Sequence, residues 1–364
     1  MTSTKLYVGT YTRPAPYLAE TNGQGLYVLD YDEDTGALTE VQEVGGIENP
    51  SYLCISPDGR NLHAVWEVLD WPEGLISSYA IDAGEGTLTY QGVQGSRGSL
   101  ACYTMMDSQS RAALVSNYWS GSVAMFPVRA DGALGQASSF DQHEGSGPDP
   151  ARQEGPHAHC IVISADDAFA FSADLGTDRV IGYRVDFERN ELVPHSELEM
   201  PPGSGPRHLV FSPNGRNAYV INELDSTIAA LAYDAAAGVL RLLETYPLLP
   251  PDFDGESHCA DIHIHPSGRY LYGSNRGHDS ITMFHVDGAD GRLTPLGQRS
   301  TEGATPRNFA ISPDGHFLLA ANQDSDNVVT MPIDLDSGLL RETVSVTSVP
   351  TPVCLKFAPR GTQS

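Results

Sequence analysis

The chain has 364 residues, with 47 Asp and Glu against 21 Lys and Arg, a formal net charge of −26. That balance excludes the basic footprint a nucleic-acid binder needs and makes an anionic membrane surface a poor partner. Hydrophobic residues at 40% suffice for a packed core, and 36 Gly plus 25 Pro imply many turns. No apolar run approaches the ~20 residues of a membrane-spanning helix. Met1 to Lys5 carry no basic-then-apolar signal, so the expected address is the cytoplasm. All basic residues except Lys5 and Lys356 are Arg, and the acidity reads as a solvated surface. The five cysteines (Cys54, Cys102, Cys160, Cys259, Cys354) are odd in number and lack a CxxC pair, which fits small buried residues better than disulfides or zinc.

In chain order, segments 6–9, 25–30 and 38–41 alternate as short strands. A repeat then begins: an apolar strand, a Ser-Pro-Asp-Gly-like turn, and a second apolar strand ending in polar residues. It reads Tyr52-Leu53-Cys54-Ile55 before Ser56-Pro57-Asp58-Gly59, and His208-Leu209-Val210-Phe211 before Ser212-Pro213-Asn214-Gly215. It returns as Ile262-His263-Ile264 before His265-Pro266-Ser267-Gly268, and as Asn308-Phe309-Ala310-Ile311 before Ser312-Pro313-Asp314-Gly315. Degenerate copies turn at Asp107, Ser164 and Ala358. The turn starts are therefore 56, 107, 164, 212, 265, 312 and 358, a period of about 50 residues.

Each copy supplies four short strands without sustained helical periodicity, as in 217–221, 227–233 and 238–242 after the fourth turn. The expected fold is all-β: a seven-bladed propeller of four-stranded antiparallel blades, one domain spanning 1–364. Only a few residues follow the seventh turn, so segment 353–357 should be the inner strand of a last blade completed by the N-terminal strands.

In such a ring the start of the inner strand and the end of the second lie together near the axis. Five residues before each turn stand Ser51, Cys102, His159, Arg207, Ala260, Arg307 and Val353. Eleven residues after it stand Glu67, Tyr118, Leu175, Glu223, Arg276 and Gln323, with Tyr11 as the seventh. Equivalent positions holding such different chemistry suggest a ligand site, although a hydrated channel would also be polar. Three arginines (Arg207, Arg276, Arg307) converging in an acidic protein suit a carboxylate or phosphate. Pairing with channel acids such as Glu67 and Glu223 is the alternative reading.

The motifs Pro156-His157-Ala158-His159, Gly205-Pro206-Arg207-His208-Leu209, Val220-Ile221-Asn222-Glu223-Leu224 and Ser274-Asn275-Arg276-Gly277-His278-Asp279-Ser280-Ile281 resemble the seven-bladed lactonase family, as does Ala320-Ala321-Asn322-Gln323-Asp324-Ser325-Asp326. That family includes propeller-type 6-phosphogluconolactonases and fungal 3-carboxy-cis,cis-muconate lactonizing enzymes. The resemblance implies lactone chemistry without a cofactor on a small anionic lactone or carboxylate. It places His159, Glu223, Arg207 and Arg276 as catalytic residues. Arg307, Gln323, Glu67, Tyr118 and His157 are then the expected substrate contacts, and His157 competes with His159 for the histidine role. Glu223 and His159 both qualify as the base that takes a proton from water.

His258, Asp261, His263 and His265 resemble a metal set, but their side chains would have to come from both faces of one strand. No Walker loop, HExxH or GxSxG occurs. Tyr7, Tyr27, Tyr219 and Tyr272 alternate within strands and read as core. The leading expectation is hydrolysis of a sugar-acid lactone, 6-phosphogluconolactone first. Lactonization of a carboxylated muconate is second. A non-catalytic propeller that binds partners through an apolar rim is third.

Overall fold

The computed structural model describes residues 3–16, 18 and 20–359. Seven four-stranded antiparallel sheets surround a central channel. Six are consecutive in the chain, spanning 53–95, 101–142, 158–199, 206–247, 258–300 and 306–348; they are numbered here as blades 1 to 6. Blade 7 takes its inner strand, Pro352–Phe357, from the end of the sequence and its others, Ser3–Thr10, Leu26–Asp32 and Leu38–Val44, from the beginning. The shared blade expected from the sequence is present.

The turns explain both the motif and its degenerate copies. In the first, Ser56 Oγ accepts from the Asn61 amide (2.9 Å), and Gly59 N donates to the Ser56 carbonyl (2.8 Å) at φ 71°. That left-handed residue is why glycine recurs at 215, 268 and 315. In the degenerate turns at Asp107 and Ser164, Ser110 and Asp167 adopt the same conformation, each at φ 58°; the third, expected from Ala358, runs outside the described residues. Asp107 replaces the turn serine, and its Oδ1 accepts from the Arg111 and Ala112 amides.

The core lies between blades. Tyr219, Ile221 and Ile228 of blade 4 pack on Leu271 and Phe284 of blade 5, and Tyr272 and Ile281 of blade 5 pack on Leu318 and Val329 of blade 6. Each such side chain contributes roughly 1.5–3 kcal/mol by leaving water. Tyr7, Tyr27, Tyr219 and Tyr272 are buried as expected. Three of them also bridge blades, since Tyr7, Tyr219 and Tyr272 each donate 2.9 Å bonds to the Gly86, Gly291 and Gly338 carbonyls of the next blade. All five cysteines are buried free thiols.

Candidate active site

Two repeated backbone devices build the axial site. The second strand of each blade ends where the chain leaves the sheet. The next residue is fixed by its own amide: Tyr11, Glu67, Tyr118, Leu175, Glu223 and Gln323 donate to the carbonyls of Thr351, Asn49, Leu100, His157, Gly205 and Thr305. Five of those acceptors are left-handed (Asn49, Leu100, Gly205, Thr305, Thr351), which turns the chain into the next inner strand. The inner strands then carry a bulge. Pairing skips one residue at Cys102, His159, Arg207, Arg307 and Val353, and two at Ala260 and Asp261. A bulge breaks the alternation of faces and re-aims a side chain. Here the released residues meet at the axis.

They surround a cavity of about 670 Å³ at one end of the channel. Of the expected residues, Glu67, Tyr118, His157, His159, Glu223, Arg276, Arg307 and Gln323 line it. Arg207 lies beneath, lining a small chamber of about 10 Å³ with Ser51, Cys102, His159 and Arg307. The sequence positions are thus brought together.

Glu223 is the centre of the charge network. Arg207 Nε and Arg276 Nη2 each lie 2.9 Å from its Oε2, and Arg152 Nη2 lies 2.5 Å from its Oε1. Burial alone would raise the Glu223 pKa, but Arg276, Arg207 and Arg152 hold it well below the usual carboxylate range. Held by three guanidiniums, this carboxylate is placed to anchor them. Arg276 also donates to the His258 and Cys259 carbonyls. Burial lowers its pKa to about 10, which leaves it cationic at neutral pH. Arg307 Nη2 lies 3.5 Å from Glu67 Oε1, which also accepts from the Tyr11 hydroxyl at 2.8 Å. The expected pairing of channel acids with arginines is therefore real. It still leaves donors over: among the described residues nothing accepts from Arg207 Nη2 or Arg276 Nη1.

The two histidines separate. His157 is held by Nδ1 on the Tyr118 carbonyl (3.0 Å), by Nε2 3.3 Å from Glu154, and by stacking on the Tyr118 ring at 4.6 Å. His159 is buried, has Nδ1 only within 4.0 Å of the Cys102 thiol, and makes no hydrogen bond through Nε2 to the described residues. Burial, with Arg207, His208 and Arg307 nearby, pushes its pKa well below the ordinary value, so the imidazole is unprotonated at neutral pH. Gln323 donates through Nε2 to Asp324 (2.8 Å), while its buried Oε1 has no partner among the described residues.

Arg152, which lines the cavity and pairs with Glu223, is the site residue the repeat register missed. It projects from the connection between blades 2 and 3, where it is the lone basic residue in an acidic, Gly- and Pro-rich stretch from His143 to His157. Trp119, more than half exposed, also stands at the cavity wall. The metal-like set is not brought together. His258 lines the cavity, whereas Asp261 and His263 bond each other deeper in the channel, and His265 accepts from the Ser267 amide through Nδ1 and donates through Nε2 to the Gly315 carbonyl in the turn of the next blade. No group of three or more potential ligands gathers among the described residues.

The fold is thus that of a seven-bladed β-propeller with a guanidinium-walled cavity on its axis. Residues 5–357 match the family "Lactonase, 7-bladed beta-propeller", and the chain belongs to that family. A 6-phosphogluconolactonase of Bacillus subtilis is 36% identical over 351 residues, covering 96% of this chain and 97% of that one. A 6-phosphogluconolactonase of Formosa agariphila is 35% identical, covering 93% and 94%. The crystal structure of the Pseudomonas aeruginosa periplasmic gluconolactonase PpgL superimposes with a TM-score of 0.91 at 36% identity, covering 98% and 99%.

Proposed function

We propose that this protein hydrolyses a sugar-acid lactone, 6-phosphogluconolactone foremost, with His159 as general base. The observation that carries the reading is geometric: the buried His159, whose Nε2 has no hydrogen-bond partner among the described residues, lines both the main cavity with Arg276 and the chamber beneath it with Arg207, and both arginines keep a donor over. His159 takes a proton from water as the water oxygen bonds to the lactone carbonyl carbon. Charge developing on the carbonyl oxygen is met by Arg207 and Arg276. Collapse breaks the ring C–O bond, and the imidazolium returns its proton to the departing alkoxide. The products are a hydroxyl and a carboxylic acid, which ionises to a carboxylate by releasing one proton to solvent, so atoms and protons balance. Glu223 fixes the arginines. Arg307, paired with Glu67 outside the Glu223 cluster, takes the phosphate.

The orphaned Gln323 Oε1 supports a polyhydroxylated substrate, because it needs a donor and a carboxymuconate has no hydroxyl to offer it. Five unpaired thiols support a reducing, cytoplasmic setting. No helix among the described residues is long and apolar enough to cross a membrane. The test is turnover of 6-phosphogluconolactone, gluconolactone and 3-carboxymuconate above their spontaneous rates. His159→Gln should lower lactone kcat by roughly 10²–10⁴-fold with an unchanged fold. Turnover of the muconate alone, or full activity in His159→Gln, overturns the reading.

A further inference from the structure

One layer below the bulged residues, four positions before each turn, the inner strands carry Tyr52, Tyr103, Cys160, His208, Asp261, Asn308 and Cys354. Three consecutive blades thus present His208, Asp261 and Asn308, all buried, and none lines the main cavity. They form one connected arc. Asp261 Oδ1 accepts from His208 Nδ1 (2.8 Å) and the Ile262 amide (3.0 Å). Its Oδ2 accepts from His263 Nε2 (2.9 Å) and from Asn308 Nδ2, and Asn308 Oδ1 accepts from the Leu355 amide at 2.7 Å. Asp261 is thereby tied to the inner strands of blades 4, 5 and 6, and through Asn308 to blade 7. Arg207 Nη1 lies against the His208 ring, 3.1 Å from Nε2 and 3.5 Å from Nδ1, and also donates to the Ala260 carbonyl at 2.6 Å.

We propose that His208 and Asp261 are positioning residues that set the guanidinium of Arg207 for the reaction. This rests on the lactonase reading above. With Nε on Glu223 and Nη1 on Ala260 and against His208, Arg207 has a single nitrogen, Nη2, left to meet charge on the substrate. Asp261 holds the His208 proton on Nδ1. In the neutral ring Nε2 then carries no proton, and the ring can lie against a cation. An apolar filler would complete the channel equally well, as Cys160 and Cys354 do at equivalent positions. A His–Asp pair here is explained by what it supports.

The decisive experiment is a double-mutant cycle. Arg207→Ala should lower kcat on 6-phosphogluconolactone by about 10–100-fold, the scale of one hydrogen bond to a charged group. Asp261→Asn should lower kcat about tenfold in the parent with KM within about twofold, and should have no further effect in Arg207→Ala. An equal factor in both backgrounds overturns the proposal. His208→Gln repeats the cycle if Asp261→Asn folds poorly. Absence of turnover by the parent would instead sink the lactonase reading. The Nε–H resonance of Arg207, identified by its loss in Arg207→Lys, tests the positioning without turnover. It should exchange slowly with solvent in the parent and broaden in Asp261→Asn and His208→Gln. An unchanged resonance in both variants overturns the proposal.

Discussion

The floor and the rim of the axial cavity are built from opposite charges by different parts of the chain. At the floor, the guanidiniums of Arg152, Arg207, Arg276 and Arg307 face the carboxylates of Glu67 and Glu223, so two positive charges remain. At the rim, the exposed acids Glu154, Glu256 and Asp324 add three negative ones. The floor groups are hydrogen-bonded and, apart from the partly exposed Arg152, desolvated, so Coulombic interactions among them are strong. Those at the rim are screened by water and salt. The floor should therefore govern chemistry and stability, and the rim only the rate at which an anion arrives.

Glu223→Gln is the largest break in that comparison. It leaves Arg207 and Arg276 buried without their common counter-ion, so it should cost about 3–5 kcal/mol of stability, as breaking a buried pair does. Turnover should fall by roughly 10²-fold or more as the donors lose their geometry. A melting curve beside kcat decides. A variant that loses turnover at unchanged Tm would make Glu223 a base rather than an anchor.

The next effect is a pH signature of the floor. Burial, together with Arg207, lowers the His208 pKa to about 3 against about 6.5 in an unfolded chain. Below pH 6.5 the unfolded state takes up a proton that the folded state refuses. Stability contributed by His208 is therefore complete above pH 6.5 and is lost as pH falls toward 3, by about 1.4 kcal/mol per unit. Denaturant midpoints at pH 7, 6, 5 and 4 should decline less steeply in His208→Gln than in the parent. Parallel lines would show that His208 titrates alike in the folded and unfolded states.

The rim should give the smallest effect. Glu154→Gln with Glu256→Gln should raise kcat/KM for 6-phosphogluconolactone by only about two- to fivefold at low salt, through faster association. The gain should disappear at high salt and be absent for uncharged gluconolactone. A large gain persisting in high salt would place the rim acids in contact with the substrate.

The same division governs what the sequence reveals. The ring, the shared blade and most floor residues follow from a period of about 50 residues, because equivalent positions recur around an axis. His159, Arg207 and Glu223 could be placed by counting from each turn. Arg152 could not, since its loop lies outside the period, although a lone Arg amid Glu144, Asp149 and Glu154 is itself a signal. His208, Asp261 and Asn308 were hidden for another reason. Strict alternation along a strand would turn the neighbour of a channel residue away from the channel. The bulge suspends that rule, so adjacent residues such as Arg207 and His208 both face the axis chamber. Asp261 and His263, two residues apart on one strand, share a face by ordinary alternation, which is what gave them their metal-like appearance. Their true relation is a carboxylate gripping imidazoles.

The shared blade also orders events during biosynthesis. Every proposed contact from Tyr11 to Gln323 is made before the strand Pro352–Phe357, yet that strand seals the ring and brings Leu355 N to Asn308. Until it emerges, Ser3–Thr10 presents an unpaired inner edge, and the arc supporting Arg207 lacks its final tie. A nascent chain thus holds all its proposed reactive groups before it can align them, and competence arrives in one late step on ring closure.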